Sequence, residues 1–336
     1  MTTYLERTQQ RASNEKAGRL STDRAVRRYD DIRQLLPDVD QPTPLVRLNR
    51  IAPGLDLYLK LEWLNPFGSI KDRAASYLLE GLASRGSLHG KKLVEASSGN
   101  TAIALAAMAA LEGLPITITI PDGVPHEKKV LLRMLGAEVW ETPDDLCPVD
   151  NPRDGAIALA RSIAGSVGGE DFLWPDQYSN PDNVRAHYET TGPEIWRQTD
   201  GLVQTFVAGF GTCGTLSGVG RFLKEQNPKV RIVAVEPQKG HRLPGLKSFA
   251  EAREPDILDR SIIDQVAHID DDAAYGVTKR LYREEGLIVG PSTGAIVAAA
   301  TSLEDPGLTV GISPDSGFKY ASFFVDHLGD EGLPLV

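Results

Sequence analysis

Val203-Gln204-Thr205-Phe206-Val207-Ala208-Gly209-Phe210-Gly211-Thr212-Cys213-Gly214-Thr215 is the stretch from which the fold is read. An apolar, β-branched run feeds a glycine-rich turn, and a helical pattern follows from Gly214 to Gln226. A strand, a glycine turn and a helix start present free backbone N–H groups and the positive end of a helix dipole. Glycines let the backbone approach an anion closely, and Thr212 and Thr215 add hydroxyl donors. The segment therefore suits a phosphate. The spacing Gly209-x-Gly211-x-x-Gly214 also matches the dinucleotide fingerprint, with Glu236 after the next strand where a ribose-binding acid would stand. The two threonines favour a single phosphomonoester, and taken alone the segment leaves both readings open.

The same alternation extends in both directions. Runs at Leu55–Leu61, Lys92–Glu95, Ile116–Ile120, Glu138–Glu141, Phe172–Trp174, Leu202–Ala208, Val230–Val235, Leu287–Val289 and Leu308–Ile312 predict strands. Helical patterns lie between them, at Asp72–Arg85, Thr101–Glu112, Glu127–Leu135, Asp154–Ile163, Asn183–Gln198, Gly214–Gln226, Asp272–Glu285, Thr293–Leu303 and Gly317–Leu328. Strands alternating with helices imply βαβ units and a largely parallel sheet. In such sheets ligands bind at the carboxyl ends of the strands. At 336 residues the chain is long enough for two domains, which need neither disulfides nor metals to bury a core.

The formal charge of −10 argues against a general nucleic-acid binder, although it leaves room for small basic pockets. Cys147 and Cys213 form no CxxC pair, so a disulfide framework is not expected and a reducing cytoplasm is the default. The polar start, Met1 to Ala12, carries no apolar signal-peptide core, and the longest apolar run, Ala102–Leu111, is too short to span a bilayer. The six histidines show no metal-ligand spacing, so no metal is expected. Residues 1–30 are locally basic, with seven basic and four acidic side chains, and read as a solvated extension.

Two further loops carry chemistry. Asn65-Pro66-Phe67-Gly68-Ser69-Ile70-Lys71-Asp72-Arg73 joins a strand to a helix. Lys71 falls in the first turn, where the helix dipole disfavours a cation. A structural lysine gains nothing there, whereas a Schiff-base lysine needs a depressed pKa. Asp72 and Arg73 read as helix-end and local pairing residues. Ala96-Ser97-Ser98-Gly99-Asn100-Thr101 then precedes an alanine-rich helix. One of these residues would suffice as a cap. Four hydroxyl or amide side chains around one glycine suit a second anion, a carboxylate.

These segments together resemble the pyridoxal-phosphate enzymes of the cysteine synthase and cystathionine β-synthase family, fold type II. The resemblance runs from about Pro42 to Phe324. It rests on Pro42-Thr43-Pro44-Leu45-Val46, Gly68–Arg73, Ser97–Thr101, Gly211–Thr215 and Gly290-Pro291-Ser292-Thr293-Gly294, in the family's order. The dinucleotide reading accounts for only one of the five. The resemblance implies an α/β fold of two interleaved three-layer domains with mainly parallel sheets. Residues 1–40 would be an extension, 41–176 a domain carrying the lysine and substrate loop, and 177–336 a domain carrying the phosphate cradle and Ser292. It implies that Lys71 bonds the cofactor covalently, and that Gly211, Thr212, Cys213 (through its backbone), Gly214 and Thr215 bind its phosphate. Asn100 would bond the ring hydroxyl and Ser292 face the pyridine nitrogen. Ser97, Ser98, Thr101 and Gln177 would hold the substrate carboxylate.

A hydroxyl opposite the pyridine nitrogen makes the ring a moderate electron sink, which suits β-elimination to an aminoacrylate followed by addition of a thiol or sulfide. The chain departs from the family at Ser97, where threonine is usual, at Ala102 and at Cys213, where glycine is common. The side chain of Cys213 is expected to be packed rather than reactive.

Leu59–Phe67, Pro244-Gly245-Leu246-Lys247 and Pro314-Asp315-Ser316-Gly317-Phe318-Lys319-Tyr320 look closest to the O-phosphoserine sulfhydrylases. Lys247, with Arg242 nearby, would meet a substrate phosphate. The expectation is a cysteine synthase using O-phosphoserine, O-acetylserine or both, with sulfide. The alternatives are a cystathionine β-synthase using homocysteine, and a non-catalytic scaffold. The partners implied are a small amino-acid substrate and sulfide or a thiol, with no nucleic acid or membrane, in a homodimer.

Overall fold

The computed structural model describes residues 28–86, 88–97, 99–124, 126–143, 155–166 and 171–325. Ser98, Cys147 and residues 1–27 lie outside the described residues.

Among the described residues ten strands form two sheets. The larger has six strands in the order β1 (Leu45–Arg47), β2 (Leu57–Leu61), β10 (Thr309–Ser313), β7 (Thr205–Gly209), β8 (Arg231–Pro237) and β9 (Gln265–Ile269). The smaller runs β5 (Glu138–Thr142), β4 (Ile116–Pro121), β3 (Lys92–Ala96) and β6 (Phe172–Leu173). Every pairing is parallel except β1 with β2. The sheets do not divide at residue 176. β1 and β2 precede the small sheet in sequence yet pair into the large one, where Tyr58 lies opposite Val310. The two units are interleaved, and a single cut in the chain does not separate them.

The helices fall where the apolar periodicity placed them, with shifted ends. They are α1 (Lys71–Arg85), α2 (Asn100–Glu112), α3 (His126–Met134), α4 (Ala156–Gly165), α5 (Asp182–Ala186), α6 (Gly192–Gln198), α7 (Gly214–Gln226), α8 (Asp271–Arg280), α9 (Pro291–Thr301) and α10 (Ala321–Val325). Of two expected long helices, one is interrupted by a π-helical turn at His187–Thr191 and the other ends in one at Leu281–Glu285. The strand expected at Leu287–Val289 is reduced to a single bridge between Val289 and Ser316. β1 and β9 escaped the sequence reading because each is a short edge strand with no fully buried residue.

One core surrounds the large sheet, with Leu57, Leu59, Phe206, Val233 and Ile296 fully or nearly fully buried. A second lies between the small sheet and α2, where Ile118, Ile120, Leu105 and Ala106 are sealed from solvent.

A buried ion network ties α1 to the large sheet. The Arg73 guanidinium donates to Glu62 at 2.7 Å and to Glu194 at 2.8 Å, and the Lys60 ammonium lies 2.7 Å from Glu194. Desolvation opposes the Glu62 carboxylate, yet the Arg73 charge beside it holds its pKa down to about 2. Arg73 therefore pairs with residues far away in sequence rather than locally.

Candidate active site

Four loops leave the carboxyl ends of β2, β3, β7 and β10 and meet around Lys71. The loop after β2 is fixed from within. Asp72 accepts from the Phe67 amide at 2.5 Å and from the Ser69 hydroxyl at 3.3 Å. It is joined to the β10 loop by a bridge between Ser69 and Asp315 and by the Ile70 amide donating to the Pro314 carbonyl at 2.9 Å. This geometry starts α1 at Lys71 itself, with no side-chain cap. The Lys71 ammonium donates to the Thr212 hydroxyl at 3.2 Å. Burial pushes its pKa down to about 8, with Lys247 adding to the effect and Asp315 opposing it. A lysine so placed reaches the neutral, nucleophilic state far more easily than one in water.

The loop after β7 is a cradle. Cys213 adopts a left-handed conformation (φ 67°) just before α7, and no side chain caps that helix. Its first amides are thus left for an anion. A Cβ at Gly214 would come within 2.2 Å of Asn183 Oδ1, and one at Gly211 within 3.0 Å of the Gly245 carbonyl. Side chains there would collide with these neighbours, so the turn keeps this path only with glycine at both positions. The Cys213 thiol is packed in the core, and burial pushes its pKa up to about 12. Thr215 contacts His187 Nε2 at 3.3 Å, and His187 Nδ1 contacts Thr191 Oγ1 at 2.9 Å. Burial, with the nearby Lys71 charge, holds His187 neutral by lowering its pKa to about 3.

The loop after β3 is bonded to itself and to Gln177. Ser97 Oγ accepts from the amides of Ala102 (3.1 Å) and Gly99 (3.4 Å). The Thr101 hydroxyl donates to Gln177 Oε1 at 2.5 Å, and Gln177 Nε2 donates to the Ala96 carbonyl at 3.1 Å. Asn183 Nδ2 joins this group to the cradle, donating to the Gln177 carbonyl at 2.7 Å and to Thr212 Oγ1 at 3.1 Å.

Asn100, at the first position of α2, is held by the β10 loop. Its amide nitrogen donates to Asp315 Oδ2 at 2.6 Å, and its oxygen accepts from the Lys319 ammonium at 2.9 Å. Ser292 lies in the first turn of α9, 4% exposed, two residues beyond Gly290, whose amide donates to the Asp315 carbonyl at 3.1 Å.

The structure thus brings Lys71, Asn100, Thr212 and Asp315 into one connected cluster. Lys247 lies at its margin, half-buried, its ammonium 4.3 Å from the centre of the Tyr178 ring. Arg242 is exposed, and its backbone makes its contacts, with Asp271 and Tyr275. Glu236, the candidate ribose acid, accepts instead from the Phe249 amide at 2.7 Å. Asp315, Lys319, Asn183 and His187 were not singled out as site residues from sequence. Their shared signal is weak, because polar residues in loops and first turns are common.

Among the described residues no group of three or more His, Cys, Asp or Glu side chains could hold a metal ion, and no helix is long and apolar enough to cross a membrane.

The chain matches the pyridoxal-phosphate dependent enzyme family model over residues 36–312. It is 42% identical to cysteine synthase B of Salmonella typhimurium, over 83% of this chain and 92% of that protein. It is 35% identical to a cysteine synthase of Aquifex aeolicus, over 87% of this chain and 92% of the other. A crystal structure of O-ureido-L-serine synthase superposes with a TM-score of 0.80 at 33% identity, covering 91% of this chain and 98% of that one. A lysine on an uncapped glycine cradle, matched along nearly the whole chain, places this protein in the family of pyridoxal-phosphate-dependent enzymes.

Proposed function

We propose that the protein is a cysteine synthase, replacing the β-substituent of an activated L-serine by sulfide with pyridoxal phosphate as cofactor. The observation that carries this reading is the Lys71 amine 3.2 Å from Thr212 at the mouth of the cradle, in a chain similar to several cysteine synthases. The cofactor would supply an electron sink conjugated to the substrate Cα. Lys71 would hold it and exchange the Cα proton, since burial makes the neutral amine accessible near physiological pH. Gly211, Thr212, Cys213 (backbone), Gly214 and Thr215 would take its phosphate, Asn100 its ring oxygen and Ser292 its pyridine nitrogen. Ser97, Thr101 and Gln177 would receive the substrate carboxylate, together with Ser98.

The choice of ester rests on Lys247. A departing phosphate carries two negative charges and gains from a fixed cation, whereas acetate gains less. The Lys247 charge acts on both Lys71 and Cys213 and so lies within electrostatic reach of the reaction. The reading therefore includes O-phosphoserine among the substrates, with Lys247 as the phosphate contact. Arg242, exposed at the same loop, is the weaker partner. Steady-state rates with O-phosphoserine and O-acetylserine test this. Lys247→Ala is expected to lower kcat/KM for O-phosphoserine by about tenfold and leave O-acetylserine within about twofold. Equal losses on both esters would remove the phosphate contact from the reading.

The likeness to an O-ureido-L-serine synthase favours a second reading, in which the incoming nucleophile is larger than sulfide. Supplying sulfide, homocysteine and hydroxyurea in turn separates the readings by which product forms. The homodimer and the reducing cytoplasm belong to the same proposal, and the mass of the protein in solution tests the first.

A further inference from the structure

The segment Pro314–Tyr320 entered the sequence reading only as a sign of substrate class. In the structure it connects three parts of the site. Lys319 donates to the Gly68 carbonyl at 2.9 Å, three residues before Lys71, and to Asn100 Oδ1 at 2.9 Å. Asp315 accepts from Asn100 Nδ2 at 2.6 Å and from the Tyr320 hydroxyl. Its other oxygen is buried without a hydrogen-bond partner and lies against Gly290, where a Cβ would come within 2.2 Å of it. Asp315 thus stands between Asn100 and the turn leading to Ser292.

The consequence for Asn100 is geometric. A carboxamide has two N–H donors and one acceptor oxygen. A cation on its oxygen and a carboxylate on its nitrogen allow only one orientation, because flipping the amide would set its oxygen against Asp315 and its N–H groups against Lys319. One N–H is used by Asp315.

We propose that Asp315 is a positioning residue. With Lys319 it locks the orientation of the Asn100 amide, so that its N–H side is the one presented to the cofactor's ring oxygen. The proposal rests on the assignment of Asn100 to that oxygen. Partners behind a ligating group, which fix its orientation, commonly change affinity by about 10–100-fold when removed. The same position gives Asp315 a second effect, since its charge faces the ammonium groups of Lys71, Lys128 and Lys319.

The test is titration of the cofactor-free protein with pyridoxal phosphate, read as the dissociation constant and the visible absorbance band. Asp315→Ala is expected to weaken binding about tenfold and to shift the band. Asp315→Asn keeps an acceptor for Asn100 and should stay within about threefold of wild type. In an Asn100→Ala background, Asp315→Ala should add less than about twofold, because the two act through one contact. If Asp315→Ala does not fold, Lys319→Met releases the other end of the amide and should show the same loss and the same non-additivity.

Full additivity with Asn100→Ala would overturn the proposal, as would an unchanged band and affinity in Asp315→Ala. An Asn100→Ala variant that binds as wild type overturns it for a different reason, by removing the contact that Asp315 would serve. Cofactor capture by the wild-type protein is the control that separates either failure from a failure of the family reading.

Discussion

The loop after β3 and the loop after β7 follow one plan, a strand running into a helix N-terminus, yet they treat their polar groups in opposite ways. After β3 the protein bonds to itself. Ser97 accepts two backbone amides, and Thr101 is tied to Gln177. After β7 no side chain caps the helix, and glycines stand where side chains would strike Asn183 and Gly245. The first arrangement suits a ligand that comes and goes, because the protein's own bonds satisfy the loop between visits. The second suits a resident anion, since its amides are otherwise satisfied only by solvent. Under the proposed assignment substrate carboxylate would displace the Ser97 and Thr101 bonds, which would couple its arrival to movement of the loop.

Lys71 stands between the two loops, and its removal carries the largest expected effect. Lys71→Ala should lower the rate of β-replacement by about 10³-fold or more. A residual rate within tenfold of wild type would mean that the loops serve some other base.

Exchanging the readouts of the two loops sharpens the comparison. Thr212→Val in the cradle should raise the dissociation constant for pyridoxal phosphate by about tenfold, a larger effect on binding than on the stability of the cofactor-free protein, where it removes the acceptor of Lys71 and Asn183. Ser97→Ala should do the reverse. It removes the acceptor for two amides at the start of α2, and urea unfolding of the cofactor-free protein should register a loss of about 1 kcal/mol. Unchanged stability in Ser97→Ala would show that the substrate loop is open in solution, and the contrast between the loops would collapse.

The smallest effect is a shift along the pH axis. Burial disfavours the Lys71 ammonium and moves its pKa from 10.5 to about 8. The reactive neutral amine is therefore the main form above about pH 8, two units or more below a solvated lysine. The rate at which the cofactor-free protein captures pyridoxal phosphate should rise with pH and level off above about 8. A rate still climbing towards pH 10 would place Lys71 in water.

Much of this was legible along the chain. The β-branched runs and alanine-rich helices are local patterns, and eight expected strands reappear within three residues at either end or closer, among them Ile116–Pro121 and Thr309–Ser313. Gly209 to Thr215 announced an anion site because glycine spacing and helix starts are encoded over a few consecutive residues. β9 was missed because an edge strand lacks the buried alternation that makes a strand visible. The π-helical turns at His187 and Leu281 were missed because they keep a helical apolar pattern while changing the hydrogen bonds.

The sequence by itself determined the class of the fold, and that Lys71 and the Gly209–Thr215 turn each stand at a helix start, because each depends on neighbours in the chain. Only the tertiary structure decided that β1 and β2 belong to the large sheet, since that depends on β10, some 250 residues away in sequence. It decided that Arg73, two residues from Lys71, is committed to Glu62 and Glu194 in the core. It also decided the orientation of the Asn100 amide, which Asp315 and Lys319 hold from 215 and 219 positions away. A carboxamide has no preferred direction until charged groups are folded against both its ends, and no local pattern in the sequence records that event.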